Sequence, residues 1–258
     1  MNQVQSLNRP SFWNRKRDSS NIVSMRGQEL TEPRQNPSAA ARSKQRVLLE
    51  LVIPYTLILI VCWTPRPWQR LLWLAAAASI VVITCVSFDG LKAMGLRAVG
   101  FFRSLWVVGL ALAMGAMAVT VAAWLRTLHV PTSPLLFIQT YWAYALWAGL
   151  QQFLLQCFFL SRLLRLIPNA QLAALAAAGI FAIAHLPSLV LTPVTLVWGF
   201  AACLLFLRYR SLYPLAMAHA IFGITIAITV PGPVDHNMRV GLGYLNYHHR
   251  THNPPRSS

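Results

Sequence analysis

Three places in this 258-residue chain set strongly polar side chains inside long apolar runs. Gln151, Gln152 and Gln156 share one run. His185 follows in Phe181-Ala-Ile-Ala-His185-Leu-Pro187, and His219 comes later in Leu212-Tyr-Pro214-Leu-Ala-Met-Ala-His219-Ala-Ile-Phe-Gly223. A pair of imidazoles can hold a water, ligate a metal, or donate to a developing negative charge. Amides can orient such a water but cannot take its proton. Polar groups inside hydrocarbon are costly, so each is a functional candidate. Each also has a plainer role: a lone His, or a Gln pair, can bond one helix to another for about 0.6 kcal/mol per bond.

The elements that carry these residues are apolar helices. The chain is 56% hydrophobic and only 11% charged, with a mean hydropathy of +0.52, whereas a soluble domain is roughly 25% charged. We therefore expect an all-α, polytopic transmembrane helix bundle. Runs able to cross about 30 Å of hydrocarbon lie near 47–63, 71–88, 105–125, 134–161, 170–189, 190–207 and 212–231, about seven spans. His185-Leu-Pro187-Ser and Thr192-Pro193 interrupt the fifth and sixth, as a tight connection or a re-entrant element would. The domains expected are a disordered basic cytoplasmic tail (1–45), N-terminal transmembrane helices (46–133), a transmembrane core (134–231) and a flexible C-terminal tail (232–258).

Charge gives direction. Of 22 Lys and Arg against 6 Asp and Glu, nine lie before residue 47. Lys92, Arg97, Arg103, Arg162, Arg165, Arg208 and Arg210 fall on the same side if the N-terminus is cytoplasmic. Six remain for the other side, which satisfies the positive-inside rule with the N-terminus in and the C-terminus out. The cations punctuate apolar runs rather than cluster on a folded basic face, so a nucleic-acid partner is not expected. Membrane lipids are, and the cationic tail suits anionic headgroups. Cys62, Cys85, Cys157 and Cys203 form no C-x-x-C pair and read as small hydrophobes. His129, His236, His248, His249 and His252 are expected to be exposed.

The order of the three polar places resembles the CPBP family: type II CAAX prenyl proteases and Abi bacteriocin-processing membrane endopeptidases. The family pattern is Glu-Glu-x-x-x-Arg on one span, Phe-x-x-x-His on the next, and His-x-x-x-Asn (or Asp or Ser) on a later one. The resemblance covers about residues 134–230, with an echo at Met94-Gly-Leu-Arg97 and a fitting lead-in at Ser211-Leu-Tyr-Pro214. It implies an endopeptidase in which the first Glu activates a water. Two His and an Asn would bind that water, a divalent metal such as zinc, or the oxyanion. By position His185 and His219 match the two histidines and would be the metal ligands. Gln151 and Gln152 stand at the Glu pair, Gln156 at the Arg and Gly223 at the Asn.

Those replacements set the functional expectation. Loss of a general base costs roughly 10²–10⁴ in rate. Removing the Arg together with both Glu is self-consistent, because a cation at 156 would be buried unpaired. No Asp or Glu occurs between Asp89 and Asp235, and Glu50, the one acid inside a span, reads as an i,i+4 partner of Arg46. The expectation is a CAAX-protease-like endopeptidase of weakened activity acting on a protein or peptide in the cell membrane. The alternative is a silent relative that binds such a peptide as a scaffold or regulator. A transporter lacks its usual signs, an internal repeat and a mid-membrane acidic relay. Oligomeric state is left open.

Overall fold

The computed structural model describes residues 37–88, 90–91, 94–96 and 100–252, and the side chains among them except those of 37–42 and 248–252. The expected disordered tail therefore falls mostly outside the described residues, as do Asp89, Lys92, Arg97 and the side chains of His248, His249 and His252. From Arg42 onward the chain forms one compact unit.

Among the described residues there are helices and no strands. The helices are α1 (Pro37–Trp63), α2 (Trp68–Val86), α3 (Phe101–Trp124), α4 (Pro134–Phe153), α5 (Ser161–Leu166), α6 (Ala170–Ile183), α7 (Leu191–Tyr209), α8 (Tyr213–Thr229), α9 (Gly232–Asp235) and α10 (Gly241–His252), with a π-helical segment Leu154–Leu160 joining α4 to α5. The all-α membrane bundle is thus what forms. Large apolar side chains face outward along it, among them Phe102, Trp124 and Leu189 at 81–82% exposure. Such a surface requires lipid rather than water.

Local sequence accounts for the breaks. Ser133 caps α4 by accepting from the Leu136 N–H, with Pro134 in the first turn where its missing donor costs nothing. Asn169 does the same for α6 through the N–H groups of Gln171 and Leu172. Helix α1 begins at Pro37, so residues 37–45 are helical where a tail was expected.

All seven apolar runs become helices, but not seven equal spans. Five are long and apolar enough to cross a membrane, and α6 and α8 are shorter. Helix α6 has 14 residues, about 21 Å, and its predicted continuation to 189 is instead a run of turns over residues 184–190. Helix α7 packs back along α6, while α8 packs against α3 and α4. Ala173, Ala174, Ala177 and Ala178 of α6 are fully buried, as small residues at close helix contacts are.

Two further expectations fail at the C-terminus. Residues 232–252 carry α9 and α10 rather than a flexible tail. His236 is buried, not exposed, stacked on Tyr244 at 3.7 Å and near Tyr247 at 5.1 Å between ring centroids. His129 is exposed as expected.

Glu50 does more than pair with Arg46. Its carboxylate accepts from Arg46 Nε at 3.0 Å, from Arg162 Nε at 3.2 Å and from the Ser87 hydroxyl at 3.1 Å. Arg162 is buried, and its guanidinium lies 3.9 Å from the Phe158 ring centroid. Glu50→Ala is expected to destabilise the bundle by about 3 kcal/mol, because it removes the carboxylate facing a buried cation. Thermal unfolding of the variant in detergent checks this.

Candidate functional site

Helix α4 delivers Gln151 and Gln152 on its last turn, and Gln156 follows within the π segment. π-Helical turns insert an extra residue per turn and recur where a side chain must be re-aimed. Leu155 through Leu160 are all buried there, so the segment is the floor of the core. Gln152 and Gln156, both fully buried, stack one turn apart, and Gln156 Nε2 donates to Gln152 Oε1 at 3.3 Å. Gln152 Nε2 then donates to His219 Nδ1 at 2.9 Å.

This chain of bonds fixes the imidazole. With the Gln152 oxygen engaged by Gln156, its amino group faces His219, so Nδ1 accepts and the proton sits on Nε2. His185 is held the other way. Its Nδ1 lies 2.7 Å from the Phe181 carbonyl oxygen, which can only accept, so Nδ1 carries the proton and Nε2 keeps a lone pair. The two rings share a neighbour: Phe181 meets His185 edge-on at 4.8 Å and His219 at 5.8 Å. His185 itself stands just past the end of α6, in the turn, rather than within a span.

Both histidines line a cavity of about 880 Å³ together with Gln151 and Gly223. Gln152 and Gln156 stand behind His219 instead. The remaining wall is mostly aromatic and aliphatic, including Trp73, Trp147, Trp198, Tyr55 and Phe159, with Thr84, Thr140, Thr195 and Asn237 among its polar members and no Asp or Glu. The site is therefore neutral, largely apolar, and furnished with one lone pair and one N–H at its histidines.

Gly223 has a reason to be glycine. A Cβ added there would overlap the Tyr144 hydroxyl and ring, so Tyr144 occupies the space a longer side chain at 223 would take. Sequence reading missed Tyr144. Its signal was the spacing to Gln151, seven residues or two turns along the same face of α4. Trp198, whose ring centroid is 6.5 Å from that of His219, gave no comparable signal among so many apolar residues.

Residues 133–225 match the family described as type II CAAX prenyl endopeptidase Rce1-like. It is this segment, and not the whole chain, that is similar to the CAAX proteases. No curated protein and no solved structure matches it. The Rce1-like core runs from the cap of α4 into α8 and so contains every candidate site residue. Met94 and Gly95, from the echo outside it, are tied in nonetheless: the Met94 carbonyl accepts from the Cys157 thiol at 3.0 Å, and the Gly95 carbonyl from the Leu212 N–H at 3.0 Å.

A catalytic zinc takes three protein ligands and a water. Among the described residues no three of His, Cys, Asp or Glu come together. His219 as bonded presents an N–H where a metal needs a lone pair, and amide oxygens are poor substitutes. The donor set does not fit a resident zinc.

Proposed function

We propose that this chain binds a membrane-embedded peptide in the cavity of a CAAX-protease-like core and acts as a scaffold or regulator, without hydrolysing the peptide at an enzyme's rate. The observation that carries this is the amide relay from Gln156 through Gln152 to His219, which fills the place of an ionic network with neutral groups. A carboxylate base in low dielectric would hold a raised pKa and accept a water's proton. An amide has no such capacity. The apolar wall suits the side chains of a peptide within lipid.

A second reading, slow hydrolysis, is favoured by the opposed tautomers. His185 Nε2 would accept the proton of a water attacking the peptide carbonyl, and His219 Nε2–H would donate to the oxyanion that forms. His185 would then return the proton to the leaving amine. Placement in the cell membrane with a cytoplasmic N-terminus, and contact of the basic N-terminal stretch with anionic lipid, belong to the same proposal and rest on the positive-inside distribution.

The test uses the full chain in lipid nanodiscs with a library of apolar peptides. Saturable binding is expected, kept within about threefold in the His185→Ala, His219→Ala double variant because apolar contact supplies it, with no turnover by either protein. Turnover by wild type that vanishes in the double variant would favour the second reading. Absence of saturable binding would sink the scaffold.

A further inference from the structure

The segment after α8 lines part of the cavity. Asn237, Met238 and Val240 are part of its wall, beside His185 and Cys62. We infer that this segment is the cavity's end wall, and that Met238, with Asn237 at the rim, sets how long an apolar side chain the cavity accepts. The inference rests on the peptide-binding reading for its ligand, but the wall itself rests on geometry.

That geometry is unusual for a mobile tail. His236, Asn237 and Met238 form three successive left-handed residues with φ of 53°, 53° and 57°, none of them glycine. L side chains occupy this region only where the surroundings over-determine it. Here they do. The Asp235 carboxylate accepts from the Asn237 N–H at 2.9 Å, and the Asp235 carbonyl accepts from the Met238 N–H at 3.1 Å. The buried His236 ring stacks on Tyr244 of α10, and the Arg239 guanidinium lies 5.4 Å from the Tyr247 ring centroid.

The segment is also fastened to the site. The Gly241 N–H donates to the Leu186 carbonyl at 2.8 Å, in the very turn that carries His185. Gly241 has φ +56°, and a Cβ there would overlap the Cys62 carbonyl at the end of α1, so the wall is pressed between α1 and that turn. Irregular backbone at membrane depth persists only where protein covers it, and the short α6 leaves the 184–190 turn needing such a cover. Elsewhere the cavity's lining follows α2 from Trp73 to Cys85, about 18 Å. Met238, half-buried and part of the same lining, is the flexible apolar side chain that this segment presents to the cavity.

The experiment has two arms, both on the full chain in nanodiscs. In the first, one apolar peptide is varied at a single central residue from alanine through norvaline and norleucine to 2-aminodecanoate, and its affinity is read by fluorescence anisotropy. Met238→Ala should move the optimum to a longer side chain and tighten the longest peptide about tenfold, the gain for roughly two more buried methylenes. Met238→Trp should weaken the longest by about as much and leave the alanine peptide within about twofold.

In the second arm N-ethylmaleimide modification of Cys62 reports the wall without any peptide. His236→Ala, which removes the stacked ring, should speed it at least about fivefold, with Cys85 unchanged as the exposed reference. Faster Cys62 modification with no peptide bound by wild type would overturn the peptide-binding reading and the length rule, and leave the wall standing. An unchanged peptide optimum in all three proteins together with an unchanged Cys62 rate would overturn the wall.

Discussion

Replacing both Gln151 and Gln152 by glutamate is expected to raise peptide cleavage by about two to four orders of magnitude over wild type, the largest effect foreseen for this chain. The two positions act differently. Gln151 is part of the cavity wall, so Gln151→Glu puts a proton acceptor where a water can stand. Gln152 is buried against His219, so Gln152→Glu gives Nδ1 an acceptor in place of a donor. The imidazole must then carry its proton on Nδ1 and turn a lone pair toward the cavity, as His185 already does.

That tautomer change has its own signature. Cobalt(II), a spectroscopic substitute for zinc, is expected to bind the double variant with tetrahedral absorption and to leave wild type without it. Two buried carboxylates are also costly when unpaired, so adding Gln156→Arg should recover stability that the double variant loses. A double variant that folds, binds peptide and still fails to cleave would show that the missing carboxylates are not what silences the site.

Gly223→Asn is the second large effect. The asparagine found at this place in the family pattern cannot coexist with Tyr144, whose hydroxyl already lies where the Cβ would go. Overpacking of this kind costs about 1–3 kcal/mol, read as a lower thermal midpoint and a smaller affinity for peptide. Tyr144→Ala empties a comparable volume and costs stability alone. Combined with Gly223→Asn it should restore most of the loss, giving a coupling energy of about 1–3 kcal/mol in a double-mutant cycle. Additive losses would mean that the two residues do not compete for one space. The replacement at 223 is thus a swap of one polar side chain for another that arrives from α4.

Much of this was legible before any fold. The seven apolar runs became helices because each is a long apolar stretch with at most one charged residue, and Ser133 and Asn169 cap two of them. The pairing of Glu50 with Arg46 followed from helical spacing, and the family from the order of His185 and His219. The failures share a cause. The fifth span ended early because Pro187 and its neighbours turn the chain inside protein. His236 was misjudged because a polar, histidine-rich end looks solvated until Tyr244 and Tyr247 close over it. Composition cannot show a contact made from ten residues away in an unforeseen helix.

What the sequence determined by itself is therefore the solvent and the chemical inventory. Its hydropathy dictates lipid, and its lack of acid between Asp89 and Asp235 dictates a site without a carboxylate. Tertiary structure decided how that inventory is wired. Gln152 bonding His219 and Tyr144 filling the place above Gly223 join residues from different helices, while the Phe181 carbonyl turns His185 the opposite way from four residues back. Such contacts depend on which faces meet and at what depth, and helical periodicity constrains only the face within one helix.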